Sequence, residues 1–374
     1  VRAYQIERPG KIDPVSISVP PCGEDEVLLQ TEAVSICSTD VSYYRGHLEP
    51  ARWPITPGHE YVGRVVRVGS RVTGVEWGDR LVYWGQTDFD GLAEYRVIRP
   101  LLPNQPGQTI WYTERNFYDS HQAAAVVVPD GLASGLATMV EPLTSILRCL
   151  LVNPPKPGDV CVVLGCGPSA LLAVQLLSRV LGAARVLVIE QDARRIALAR
   201  RFGADSSFNI VTQASELVEF VREHHDSFAD YVLDALPHVA PRGEGPDVRS
   251  LAMGLLKPGG EYVFYGATML PQPVSTWHVL AKGLHLRATP FDVRAFPMTR
   301  SAHCARTALA LISQGVVEVE PLITRTLSFD DDGGVRDAFE NYGADGGLKT
   351  SIVFEHALEL PSVPRVDAVV TGVG

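Results

Sequence analysis

Several things are missing from this chain, and each absence removes a class of function. No apolar run reaches the roughly 18 residues a membrane span needs. The densest stretch, Ala123 to Val128, is stopped by Pro129. A basic excess is missing too: 33 Lys and Arg stand against 43 Asp and Glu, for a formal charge of −10. Nucleic acid and anionic membrane surfaces both demand a basic face, so neither is an expected partner. The negative charge reads as solubility. The opening residues Val-Arg-Ala-Tyr-Gln lack the apolar core of a signal peptide. Cysteine is sparse: Cys22, Cys37, Cys149, Cys161, Cys166 and Cys304 are scattered over 374 residues, which is not the spacing of a disulfide framework. A reducing cytoplasm is the expected location. Low-complexity tracts and solenoid repeats are absent as well.

The residues that are present bound the fold. A hydrophobic fraction of 46% in 374 residues supports one large or two medium cores. The first 100 positions read as short strands cut by glycine and proline: Val27 to Gln30, Tyr61 to Val68, and Leu81 to Tyr83 after the turn Gly78-Asp79-Arg80. Such punctuation predicts a small β-barrel. From about residue 155 the pattern changes to strand–helix alternation. Cys161 to Leu164, Val186 to Glu190, Tyr231 to Ala235 and Tyr262 to Tyr265 are strands. Leu171 to Leu181, Ala193 to Phe202 and Leu217 to Glu223 are helices. Alternation of this kind predicts a parallel, doubly wound sheet. It stops near residue 285. The helix Ala302 to Ile312 and the tail strand Thr350 to Phe354 are expected to return to the first unit. The domain division is therefore 1–150 with 286–374, and 151–285.

Between the first strand and first helix of the second unit lies Gly165-Cys166-Gly167-Pro168-Ser169-Ala170. Gly165 permits a tight turn, and Gly167 lets the backbone approach a pyrophosphate. Ala170, in the third glycine's place, still allows close helix–strand packing. Pro168 suits a first helical turn, where its missing N–H costs nothing. The remaining N–H groups, including that of Ser169, then face phosphate. Glu190 ends the next strand and is placed to accept hydrogen bonds from the adenosine ribose, which favours NAD over NADP. Arg194 and Arg195 are the counterweight, since either could meet a 2′-phosphate or simply be solvated. Gly266, just past the strand Tyr262 to Tyr265, completes the candidate coenzyme positions.

Upstream stand a soft donor, Cys37, a borderline one, His59, and two carboxylates, Glu60 and Glu141. Zinc accepts all three donor types in tetrahedral geometry. His59 and Glu60 are adjacent, and in an extended segment they point to opposite faces. Glu60 thus binds directly, exchanges with water, or stands behind the ligands. Asp40 is a candidate acceptor for the other nitrogen of His59.

These segments in this order carry a resemblance. Ile36-Cys37-Ser38-Thr39-Asp40, Pro57-Gly58-His59-Glu60, Gly78-Asp79-Arg80, Val140-Glu141-Pro142-Leu143 and Leu164-Gly165-Cys166-Gly167-Pro168 resemble the zinc-dependent medium-chain dehydrogenase/reductase family. The likeness runs to about residue 355. It implies a GroES-like β-barrel catalytic domain and a Rossmann coenzyme domain. The Glu-Pro-Leu form at 141 is most similar to the sorbitol, threonine and butanediol dehydrogenase branch. By position, the resemblance makes Cys37 and His59 zinc ligands, and Glu60 and Glu141 carboxylates bound directly or through water. Thr39 becomes the hydroxyl that passes the substrate proton, and Ser145 a contact of the nicotinamide ring. It implies hydride transfer between an alcohol and NAD, with a polyol, sugar, cyclitol or amino alcohol as substrate, in a homodimer or homotetramer.

The chain departs from the family pattern in three places. The segment between Arg80 and Gly91 has no cysteine, so a structural zinc lobe is not expected and one zinc per subunit is. Ser42 stands where many relatives carry the histidine that ends a proton relay, which leaves Ser42 with water, or His47, as the exit. About twenty extra residues, 102–122, include Trp111, Tyr112, Phe117, Tyr118 and His121, enough for a lid or for a packed surface excursion. Two other readings compete with the zinc enzyme: a zinc-free quinone or enoyl reductase of the same fold, and an inactive dinucleotide-binding protein. Retention of Cys37, His59, Glu141 and Thr39 weighs against both. Removing residues 105–119 tests the insertion: a lid raises substrate KM far more than it weakens NAD, and equal effects mark a surface excursion.

Overall fold

The computed structural model describes the chain except residues 51, 86–89, 104–121, 237–246, 291–295 and 356–374. Most of the 102–122 insertion therefore lies outside the described residues. A hairpin, Arg2–Arg8 with Lys11–Ser16, opens the chain. A seven-stranded mixed sheet follows, in the order Ile323–Ser328, Lys349–Val353, Val27–Ser35, Glu60–Val68, Arg80–Trp84, Gln122–Val128 and Tyr95–Leu101. Tyr95–Leu101 pairs back onto Val27–Ser35, which closes the barrel expected from the punctuated strands. Six of the nine residues in Glu60–Val68, the partner strand of Val27–Ser35, are buried. That explains why it reads as a valine-rich run rather than an alternation.

The second sheet has six strands, all parallel, in the order Ser206–Asn209, Arg185–Glu190, Val160–Leu164, Ala229–Asp234, Leu256–Phe264 and His285–Ala288. From Val160–Leu164 the chain winds outward through two strands. It then returns to lay Ala229–Asp234 on the other side. The crevice at the carboxyl ends of those two central strands is the topological switch point, where doubly wound sheets hold ligands. Helix Ala193–Phe202 coincides with the sequence reading and ends on Gly203 at φ +115°. Its start is set by Asp192, whose side chain accepts from the N–H groups of Arg194 and Arg195.

The sequence reading differs from the structure where burial does not follow its usual pattern. The strand read as Tyr262 to Tyr265 begins at Leu256 and runs through the Pro258-Gly259-Gly260 turn. Its register against Ala229–Asp234 shifts there. The sixth strand, His285–Ala288, has four exposed residues and so carries no apolar signal at all.

Helix Val140–Val152 joins the two sheets. Ten of its 13 residues are buried. With the preceding turn it forms a stretch, Ser134–Val152, long and apolar enough to cross a membrane, but 72% of that window is buried inside the protein. Helix Met298–Ser313 packs against it and against strand Gln122–Val128. One core cluster runs without a break from the barrel (Ala33, Val62, Val82) through this helix (Leu143, Ile146, Leu150) to the parallel sheet (Cys161, Val163, Val188). All six cysteines are free.

Candidate metal and coenzyme site

Strand pairing brings the candidate ligands together. Val27–Ser35 runs antiparallel to Glu60–Val68 with Ser35 opposite Glu60. The residues just past that pair, Cys37 on one strand and His59 on the other, are therefore neighbours. Cys37 caps helix Ser38–Tyr44, and its N–H donates to Asp40 Oδ2 at 2.9 Å. Gly58, at φ +101°, turns the chain into His59. A Cβ there would meet Leu92 N and Val34 Cγ1, both at 2.9 Å, so the turn admits only glycine. Because His59 precedes the strand and Glu60 begins it, the opposite-face rule does not separate them. Ligand atoms of Cys37, His59 and Glu60 all lie within 4.8 Å of one another.

Hydrogen bonds fix this group from behind. Asp40 Oδ1 accepts from Gly58 N at 2.9 Å and lies 3.4 Å from His59 Nδ1, which leaves the other ring nitrogen for a ligand role. Burial opposes charge on Asp40, yet the nearby His59 and the two N–H groups hold its carboxyl below the usual aspartate range. His59 responds in kind. Burial would lower its pKa, but Asp40 and Cys37 hold it well above the ordinary imidazole value. The groups around His59 thus favour positive charge on it.

One cation is already supplied from the far end of the chain. Lys349, 2% exposed, donates to Glu60 Oε1, and to the Ile36 carbonyl at 3.4 Å. Sequence reasoning missed this residue. The available signal was a single lysine opening the otherwise uncharged strand Lys349–Val353. That strand pairs with Val27–Ser35, Ser351 opposite Ser35, which carries Lys349 to the level of Cys37. Burial works against its charge, but Cys37 and Glu60 raise its pKa overall. Glu60 Oε2 is buried and has no hydrogen-bond partner among the described residues. A thiol, an imidazole and an unsatisfied carboxylate oxygen within one ion's reach fit zinc.

Glu141 is not part of that close group. It sits in the first turn of helix Val140–Val152, buried, and accepts from Ser145 Oγ at 3.1 Å. Burial, with repulsion from Glu60, raises its carboxyl to about 7 although His59 and Lys349 pull it down. Ser145 in turn accepts from Trp84 Nε1 at 2.7 Å. Trp84 and Tyr83 are almost wholly buried. Tyr43 and Trp53 are half-buried against the barrel core. Thr39 is half-buried, with Oγ1 3.7 Å from Cys37 Sγ. Ser42 lies on the same helix, and its carbonyl accepts from the backbone N–H of His47 at 2.8 Å.

At the coenzyme turn, Gly165 has φ +85°, and a Cβ on it would strike Leu236 at 2.9 Å. A Cβ on Gly167 would meet nothing within 4 Å, so open space lies against the backbone where a pyrophosphate would approach. Pro168 begins helix Pro168–Arg179, Ser169 follows, and Ala170 is buried. Glu190 ends its strand and ties the turn down: Oε2 accepts from Cys166 N at 2.5 Å, and Oε1 from Gln191 N at 2.7 Å and Asp192 N at 3.0 Å. Gly266 N donates to the Asp234 carbonyl at 3.0 Å, which places it at the carboxyl end of the sheet. Beside it Tyr265, also unanticipated, donates to Ser169 Oγ at 3.4 Å. Arg195 donates to the carbonyls of Gly343 at 3.1 Å and Gly347 at 2.6 Å.

The buried Lys349–Glu60 pair yields a stability prediction. Lys349→Met leaves a buried carboxylate without its cation and should cost about 3–5 kcal/mol in denaturant unfolding of the metal-free protein. Adding Glu60→Gln to that variant should restore most of the loss. An undiminished unfolding free energy for Lys349→Met would show the pair to be dispensable.

Comparisons with known proteins agree with this fold. The family model of the alcohol dehydrogenase GroES-like domain matches residues 23–98, and that of the zinc-binding dehydrogenases matches residues 170–303. D-arabinitol dehydrogenase 1 of Uromyces fabae is 26% identical over 337 residues, covering 88% of this chain and 91% of its own. The solved structure of an alcohol dehydrogenase of Escherichia coli CFT073 with NADH aligns at a TM-score of 0.73 and 22% identity, over 94% of this chain and 99% of that one. A zinc-binding dehydrogenase structure from Sinorhizobium meliloti 1021, bound to NADP, aligns at 0.70 and 22% identity, over 94% and 98%. The two family models together span more than half of the sequence, and the chain belongs to the zinc-dependent medium-chain alcohol and polyol dehydrogenases, a family of oxidoreductases.

Proposed function

We propose that this enzyme oxidises a secondary alcohol (a polyol, sugar, cyclitol or amino alcohol) to the ketone with NAD, at a single zinc per subunit. The observation that carries the reading is the convergence of Cys37, His59 and Glu60 within 4.8 Å. Cys37 and His59 would hold the metal, and Glu60 and Glu141 would bind it directly or through water. Bound there, zinc would supply Lewis acidity toward an alcohol oxygen, and NAD at the Gly165 turn would supply the hydride acceptor.

The protein's own residues do the rest. Asp40 holds the His59 ring in one orientation. Lys349 offsets the charge of Glu60. The Thr39 hydroxyl, beside Cys37, takes the substrate's proton and hands it on by way of Ser42 with water, or His47. Ser145, with Glu141 beneath it, borders the space of the nicotinamide ring. Glu190 meets the adenosine ribose and repels a 2′-phosphate. Arg195 is engaged by two loop carbonyls, and Arg194 is exposed near Asp192, 3.5 Å from its Oδ2. Neither arrangement favours a phosphate at the ribose, which supports NAD over NADP. The relatives' names include a D-arabinitol dehydrogenase, which supports a polyol. The division of labour follows: residues 1–150 with the return 286–374 hold the metal group, and residues 151–285 hold the coenzyme.

The expected outcome of Cys37→Ser is loss of zinc and of turnover, while NADH fluorescence still reports coenzyme binding. Absorbance screening with NAD over polyols, aminocyclitols and simple secondary alcohols should identify the substrate class. Full activity in protein stripped of metal would overturn the zinc assignment.

A homodimer or homotetramer belongs to the same proposal. Strand His285–Ala288 pairs only with Leu256–Phe264 among the described residues, so its outer edge is open. The helix leading into it, Thr276–Lys282, exposes Trp277 at 71% and Leu280 at 79%. An open edge beside apolar side chains is a template for a second copy. In sedimentation the wild type should run as a dimer or tetramer, and Trp277→Glu with Leu280→Glu as a monomer. A monomeric wild type would refute this assembly.

A further inference from the structure

Helix Val140–Val152 carries a cation in its buried face that nothing above uses. Glu141, Ser145 and Arg148 fall one helical turn apart, on a single stripe. Arg148 is only 2% exposed. A guanidinium taken out of water is costly unless something compensates it. Here its Cζ lies 3.9 Å from the ring centroid of Trp84 and 4.7 Å from that of Phe296, both buried aromatics. Tryptophan offers the best face for a cation, and the planar guanidinium stacks where an ammonium does not.

The stacked indole is not idle. Its Nε1–H can only donate, and it donates to Ser145 Oγ at 2.7 Å. Ser145 then directs its own hydrogen to Glu141 Oε1 at 3.1 Å. A serine inside a helix has a competing acceptor, the carbonyl four residues back, which here is that of Glu141 itself. Occupying the serine oxygen from the indole side favours the side-chain carboxylate over that carbonyl. The contacts therefore form a series: guanidinium on indole, indole to hydroxyl, hydroxyl to carboxylate.

We infer that Arg148 is a positioning residue for Glu141: by clamping the Trp84 indole it sets Ser145, whose hydroxyl aims the carboxylate at the Cys37–His59–Glu60 group. The inference rests on the reaction proposed above, and its test has one arm that does not depend on turnover. Arg148→Met keeps the side chain's bulk without its charge, and Trp84→Phe keeps a ring without the donor. Each should lower kcat for NAD-coupled alcohol oxidation by about 10–100-fold, the usual loss when the support of a metal site is removed. KM for NAD should be unchanged. The double variant should fall no further than the worse single one, because both act through one series. Arg148→Lys should recover part of the loss. The near-ultraviolet circular dichroism of Trp84 should weaken in Arg148→Met while the far-ultraviolet spectrum stays native.

The independent arm is zinc affinity by chelator competition, which should weaken in Arg148→Met, Trp84→Phe and Ser145→Ala alike. If Arg148→Met does not fold, Trp84→Phe and Ser145→Ala carry the same test. Wild-type zinc affinity and kcat in these variants, or losses that multiply in the double variant, would overturn the inference. A wild type that binds zinc but oxidises no alcohol refutes the proposed reaction, and the affinity arm then decides the role of Arg148.

Discussion

The register of one strand governs the candidate metal site. Val27–Ser35 pairs on one side with Glu60–Val68 and on the other with Lys349–Val353, and Ser35 is the common partner of Glu60 and Ser351. Every group at the site leaves the sheet within two residues of that shared point: Cys37, His59, Glu60 and Lys349. A slip of one residue in either pairing would send Glu60 or Lys349 to the opposite face. Two bulges in the Val27–Ser35 and Glu60–Val68 pairing, one at Leu28/Leu29 and one at Thr31/Ala33, reset the alternation on the way to the site. Strands joined across more than 300 positions of sequence must thus be in place before these side chains meet.

Electrostatics explains why the arrangement persists. A thiol, two glutamates and Asp40 converge on one lysine and one imidazole, most of them beyond the reach of water. Such a group is not a source of stability in itself, since desolvation can exceed the attraction between paired charges. The demand for positive charge is expressed instead in the pKa shifts. His59 and Lys349 are both held protonated against burial, and Glu141 rises to about 7. A divalent cation would relieve all three at once. The same logic makes Glu60 the pivotal carboxylate: one oxygen is committed to Lys349 and the other has no protein partner.

What could be read from the sequence, and what could not, divides along physical lines. The Gly165 turn, the helix Ala193–Phe202 and the barrel strands were legible because local chemistry dictates them: a positive φ, a cap, a valine run between turns. Cys37, His59 and Glu60 were legible as donors, and the resemblance implied their meeting, but the residues alone left it open, because adjacent residues in an extended chain diverge; here His59 precedes the strand that Glu60 begins. Lys349 was invisible for another reason. A lone lysine at a strand's start is ordinarily solvated, and only pairing with a strand from the other end of the chain buries it. The ring of Trp84 is interior, and its N–H donates to Ser145 Oγ. The edge strand His285–Ala288 has no buried face, so periodicity has nothing to report.

Helix Val140–Val152 packs into both the barrel and the parallel sheet. Its apolar positions belong to the core cluster shared by the barrel and the parallel sheet, so it cannot shift against either without opening voids. Its polar positions, Glu141, Ser145 and Arg148, form the stripe that faces Trp84 and the metal group. A helix pinned on its apolar side can hold a carboxylate to a fraction of an ångström on its polar side, provided each polar group has a partner. For Arg148 those partners include the faces of Trp84 and Phe296. An aromatic face helps to compensate a buried guanidinium without placing another carboxylate beside Glu141.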